Sequence, residues 1–71
     1  MDFTALDELI AQRGDVTVRN VGAEYGDTVE MLASEFRAAI GDMGYDTAGY
    51  TYRYNGTIVN QHGQIVIEVV N

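Results

Sequence analysis

The chain has 71 residues, no cysteine and one histidine, His62, which excludes disulfides and any thiolate or multi-histidine metal site within one chain. Its formal charge is −7, from eleven acids against four arginines and no lysine; direct binding to nucleic acid or to an anionic membrane, both of which need a basic patch, is disfavoured. A chain this short buries only about 60% of its unfolded surface, which argues for one domain, 1–71, against a deep substrate cleft, and for support from a partner or from self-association.

The charge is divided unevenly. Residues 1–46 carry ten acids and three arginines, a net −7, whereas residues 47–71 carry only Arg53 and Glu68. An acidic helical half joined to a neutral sheet half is the expected picture. No basic, apolar leader and no run of the ~18 apolar residues needed to span a bilayer is visible. The expected location is the cytoplasm or the interior of a virion.

Residues 3–12 predict a short amphipathic helix, with Phe3, Leu6 and Ile10 on one face and Leu9 beside it. Asp2 or Thr4 can cap its start, Arg13 suits its C-terminal dipole, and Gly14 fits the residue that ends it. Residues 15–21, DVTVRNV, predict a strand with Val16 and Val18 on one face. Residues 28–40 predict the main helix. Val29, Leu32, Ala33, Phe36, Ile40 and Met43 form one apolar stripe, Asp27 stands at the N-cap with Glu30 completing a capping box, and Gly41 or Gly44 ends the helix. Met31 falls on the polar side. Residues 41–49 read as a loop with Asp42 and Asp46; neither a phosphate loop nor a calcium loop is spelled out.

The rest, AGYTYRYNGTIVNQHGQIVIEVV, predicts a three-stranded meander. Asn55-Gly56 is a two-residue turn signal that pairs Tyr54 with Thr57, Arg53 with Ile58 and Tyr52 with Val59. The second turn has two readings. A two-residue His62-Gly63 turn puts the tyrosines at 50, 52 and 54 opposite Ile58, Ile65, Ile67 and Val69, as an exposed ladder. A three-residue Gln61-His62-Gly63 loop pairs Asn60 with Gln64 and places those tyrosines with Val59, Ile65, Ile67 and Val69. The second separates apolar from polar more cleanly and is preferred.

The order of VTVRNV, GDTVEML, YRYNGTIVN and the terminal IEVV resembles the β-grasp family of ubiquitin-like and sulfur-carrier domains. The resemblance covers about two thirds of the chain and implies a similar sheet-and-helix fold. A helix replaces the first β-hairpin, the link from Asn60 to the last strand is short, and Val70-Asn71 stands where the carriers have Gly-Gly. No carrier activity follows from the resemblance.

The expected fold is α+β in the order α-β-α-β-β-β: an antiparallel sheet of about four strands with two helices packed on one face. The expected core is Leu6, Ile10, Val16, Val18, Val29, Leu32, Phe36, Ile40, Tyr52, Val59, Ile65 and Ile67. Ser34, His62 and the pairs Asp7/Glu8 and Asp42/Asp46 form no recognisable catalytic spacing, so no enzyme activity, metal or cofactor is expected. The expected function is a small acidic protein-binding module, such as a phage or mobile-element inhibitor, that meets a basic protein partner. Its contact residues are Asp27, Glu30, Met31, Glu35 and Asp42 on the helical side, and Arg53, Ile58, Val66, Glu68 and Val70 on the sheet. The alternative is a structural subunit of a homo-oligomer or virion that uses its sheet face and C-terminal strand as a pairing edge.

Overall fold

The computed structural model describes residues 1–22 and 25–70; Asn71, half of the Val70-Asn71 chain end, lies outside the described residues. The chain forms α1 (Thr4–Arg13), β1 (Thr17–Asn20), β2 (Glu30–Leu32), α2 (Ala33–Asp42), β3 (Thr51–Arg53), β4 (Thr57–Val59) and β5 (Ile65–Val69). The strands build one five-stranded sheet, β2-β1-β5-β4-β3, in which every neighbouring pair is antiparallel. The α+β class, the two helices and the antiparallel meander agree with the sequence reading. The fifth strand, β2, does not.

β2 occupies the stretch expected to open the main helix. Val29, Leu32 and Ala33 do follow helical spacing, but Thr28 and Val29 are β-branched and favour extended backbone. Pairing with β1 gives residues 30–32 a ladder of hydrogen bonds that a frayed first helical turn would lack. Asn20 reinforces that choice from inside: its amide donates to the Asp27 carbonyl at 3.0 Å and its oxygen accepts from Val29 N–H at 2.7 Å. Asp27 therefore caps nothing. α2 starts at Ala33, and its exposed amides find distant and local acceptors. Asp15, before β1, accepts from the Ser34 backbone at 2.8 Å and from its hydroxyl at 2.5 Å. Glu35 reaches back to Leu32 N–H at 3.3 Å. These satisfy donors that the helix leaves open.

Both meander turns are three-residue loops. The Gly56 amide donates to the Arg53 carbonyl and the Gly63 amide to the Asn60 carbonyl, each at 3.0 Å, and the two glycines have φ of 84° and 78°. This is a type I turn closed by a left-handed glycine. A two-residue turn at Asn55-Gly56 would need positive φ at Asn55 as well, and Asn55 does not have it. The first hairpin is therefore one residue out of the expected register: Arg53 pairs with Thr57, Tyr52 with Ile58 and Thr51 with Val59. The preferred reading of the second turn holds, with Val59 opposite Ile65 and Asn60 N–H donating to the Gln64 carbonyl. A bulge then puts Ile67, not Val66, opposite Ile58.

The shift exchanges the faces. Tyr52, Ile58, Ile67 and Asn20 align across four strands on the helix-covered side, next to Val18 and Val69. The core joins these to Ala5, Leu6 and Leu9 of α1 and to Ala33, Phe36 and Ile40 of α2, with Val66 brought in by the bulge. Leu6, Val18, Phe36, Ile40, Val59 and Ile67 are buried as expected, while Ile10, Val16 and Tyr52 are half-buried. Val29, Leu32 and Ile65 are corrected to exposed, at 42%, 40% and 47%. Met31, expected on the surface, packs against the core because strand alternation turns it there. Of the tyrosines at 50, 52 and 54, the first two pack on the core and Tyr54 is 94% exposed at the turn.

Two comparisons check this arrangement. Leu9→Ala should cost about 2–5 kcal/mol in urea unfolding, whereas Leu32→Thr should stay within about 1 kcal/mol; a helical core position for Leu32 would reverse that expectation. A Cβ on Gly56 would stand 3.1 Å from Arg13 Cζ and 3.3 Å from Val69 Cβ, while one on Gly63 meets nothing within 4 Å. Both substitutions strain the backbone by about 1–3 kcal/mol, so Gly56→Ala should lose measurably more stability than Gly63→Ala.

Candidate protein-binding surfaces

Three surfaces carry exposed chemistry. The first is the outer side of the helical layer. Phe3 lies beside Gly41, and Asp7 bonds Arg37 Nε at 2.8 Å, so the helices run antiparallel with the start of α1 against the end of α2. The Arg37 guanidinium also sits 4.5 Å from the Phe3 ring centroid. The pair is exposed and stabilises by no more than about 1 kcal/mol. Glu8 of α1 and Glu35 and Asp42 of α2 are exposed, as is Asp27 in the segment before β2, and among the described residues none forms an ion pair. Glu35 and Asp42 are two turns apart on one side of α2, with exposed Ala38 between them.

The second is the sheet face away from the helices. A row of Glu30, Arg19, Glu68, Thr57 and Arg53 crosses all five strands. Arg19 bonds Glu68 through two nitrogens and lies 3.7 Å from Glu30. The Glu68 hydrogen bond, then its charge, raise the Arg19 pKa further above its ordinary value. Beside this row, Thr51 and Ile65 face the same way and are exposed, with Val59 between them buried.

The third is an open groove of about 520 Å³ at the end of the sheet, where α1 stops above the β3–β4 turn. Gln12 and Arg13 form one wall, Tyr52 and Tyr54 another, and Val16, Val69 and Val70 the floor. Arg13 Nε donates to the Tyr52 hydroxyl at 3.1 Å and Nη2 to the Tyr54 carbonyl at 2.5 Å.

The expected contact residues are thus scattered, and some are withdrawn. Ile58 and Val66 lie in the core at 0% and 4% exposure, so the corrected register removes them from any contact face. Val70 is half-buried at the groove, and Met31 is half-buried against the core. Glu30 and Glu68 stand on the open sheet face, both engaged with Arg19; Arg53 is exposed at the end of the same row. Asp27 is exposed in the segment before β2, and Glu35 and Asp42 are exposed on α2. β5 is paired on both flanks, by β1 and β4, so the C-terminal strand offers no pairing edge; the edges are β2 and β3.

Ser34 and His62 are far apart in role. The Ser34 hydroxyl donates to Asp15, and the His62 amide donates to Asn60 Oδ1 at 2.9 Å in the second turn. Asp46, paired in the sequence reading with Asp42, instead accepts from the amides of Asp2 and Ala48, each at 3.1 Å. Nothing in the sequence pointed to the Arg13 groove, because its walls are 39 and 41 residues apart along the chain. The chain matches no protein-family model, no curated protein and no solved structure. The class is therefore defined by the fold and surfaces alone: a small acidic α+β domain with a two-helix layer on one side of an antiparallel sheet.

Asp15 gives this arrangement a pH signature. The Ser34 hydroxyl, then the Ser34 amide, hold its carboxyl below the ordinary aspartate value. A depressed folded pKa adds stability above the unfolded value of about 3.9, and that stability is lost as pH falls through the folded pKa. Asp15→Asn should be less stable than wild type at neutral pH, and the gap in urea midpoints should close as pH is lowered past about 4. A gap independent of pH would contradict a charged helix-start acceptor.

Proposed function

We propose that this chain is a non-catalytic protein-binding domain that presents the acidic outer side of its helical layer to a basic protein surface. One observation carries the reading: Glu8, Glu35 and Asp42 on the two helices, with Asp27 in the segment before β2, are exposed without an ion-pair partner among the described residues, while Arg19 and Arg37 are engaged by other acids. Such a surface raises encounter rates with a positively charged partner and repels acidic ones. An inhibitor of the kind phages and mobile elements carry, acting in the cytoplasm or within a virion, fits this chemistry.

Affinity purification from the native host with mass spectrometry should return partners with basic contact faces. Their retention should fall steeply as ionic strength rises from about 0.05 M to about 0.5 M, where the screening length shrinks from roughly 14 Å to 4 Å. Glu8→Lys combined with Asp42→Lys, two exposed acids that hold no structural hydrogen bond among the described residues, should weaken capture by about tenfold or more while leaving the unfolding midpoint nearly unchanged. Capture indifferent to both salt and charge reversal would overturn the proposal.

A second reading, a homo-oligomeric structural subunit, is favoured by the exposed aliphatic residues on the sheet face away from the helices. Exposed Ile65 and Leu32 lie on that face with the Glu30–Arg19–Glu68 row, and both edge strands are only three residues long. Light scattering at high concentration decides it: a strictly monomeric mass removes this reading.

A further inference from the structure

The groove beneath the end of α1 has the opposite chemistry to the acidic helical surface. Arg13 is exposed and, among the described residues, has no carboxylate within ion-pair distance, in a chain where acids outnumber arginines eleven to four. Its guanidinium is nevertheless held in place. The Tyr52 hydroxyl and the Tyr54 carbonyl take one N–H each, and its carbon packs where a Cβ on Gly56 would stand, 3.1 Å away. A guanidinium has five N–H donors, so three stay free of acceptors among the described residues. A cation already positioned by its own structure loses little entropy when it meets a planar anion, and carboxylate is the anion its fork matches. Apolar side chains of Val16, Val69 and Val70 lie beside it, and the almost fully exposed Tyr54 ring stands at the rim.

We infer that this groove binds an organic carboxylate with an apolar body, of the size of an N-acylated apolar amino acid: Arg13 takes the carboxylate and the valine floor, with Tyr54, takes the body. The ligand chemistry is shared by a free small acid and by the C-terminal residue of a peptide. This goes beyond the acidic-surface reading, because it uses another face and the opposite charge, and it stands if that reading fails.

The test is a titration followed by amide and arginine Nε–H chemical shifts. The probes are N-acetyl-phenylalanine, its C-terminal amide, and the acetylated tetrapeptide Ala-Ala-Ala-Phe with a free carboxylate. N-acetyl-phenylalanine or the tetrapeptide should give saturable shifts centred on Arg13, Gly56 and Val69. The amide should bind at least about tenfold more weakly, because a charge-assisted hydrogen bond is lost. Saturation by both acids identifies a chain end as the natural occupant; saturation by N-acetyl-phenylalanine with exclusion of the tetrapeptide identifies a free small acid; either supports the site. Arg13→Gln should abolish saturation. Since Arg13 also braces the β3–β4 turn, Gln12→Glu is the second variant: it leaves every Arg13 contact in place, adds a negative charge at the groove wall, and should weaken binding severalfold with unchanged folding. Equal affinity for acid and amide, shifts centred elsewhere, or no saturable response from either acid overturns the inference.

Discussion

Gly56 and Gly63 both adopt positive φ, and each closes a three-residue loop after a type I turn. That backbone constraint decides the parity of the β3–β4–β5 meander. With side chains alternating along every strand, one residue of slip at Gly56 moves Ile58 from solvent to core and Val59 away from Tyr52. Without a correction, the second loop would carry Ile65 to Val59's side and leave Ile67 there too. The bulge at Val66 is that correction. It returns Ile67 to the row of Ile58 and Tyr52, and adds Val66 to the same core. Two glycines and one extra residue thus select which aliphatic side chains Leu6, Leu9 and Phe36 pack upon.

Much of this was legible locally, and what failed was long-range. α1, the latter half of α2 and the second turn follow from spacing and turn chemistry. The start of α2 does not, because residues 29–33 satisfy a helical and a strand pattern at once, and the arbiter is β1. Only when β1 is in place does pairing at residues 30–32 have a partner, and only then does Asp15 reach Ser34, 19 residues on. The Asn55-Gly56 pair was a true turn signal of the wrong type, since local sequence does not say whether Asn55 enters the left-handed region. The acidic surface was readable as charge, but which acids are free was not. Glu30 and Glu68 meet Arg19 only because three strands align them.

The acids accordingly divide by task. Asp2, Asp15 and Asp46 accept backbone amides at chain turns and helix starts; for Asp2 the Thr4 hydroxyl and then its amide lower the pKa, as Ser34 does for Asp15. Asp7 and Glu68 hold arginines. Glu35 accepts the Leu32 amide at the start of α2, while Glu8, Asp27 and Asp42 are exposed without an ion pair among the described residues. A domain near the lower limit of size for a self-sufficient core gains stability from such polar ties, each small, at the ends of short elements. Thr47 and Asp46 work the same way, tying the first residues of the chain to the loop after α2 through Asp2.

Arg13 joins the two themes. It lies at the C-terminal end of α1, where the helix dipole favours a cation, and its guanidinium spans to the β3–β4 turn that sets the meander's parity. The contact is tight because Gly56 has no side chain: the same absent Cβ that permits positive φ leaves room for the arginine above it. A backbone requirement of the fold therefore creates a positioned cation beside an apolar floor. The turn's parity and the groove's charge rest on one residue, so the feature that makes the sheet face the helices also makes a cationic recess on an acidic domain.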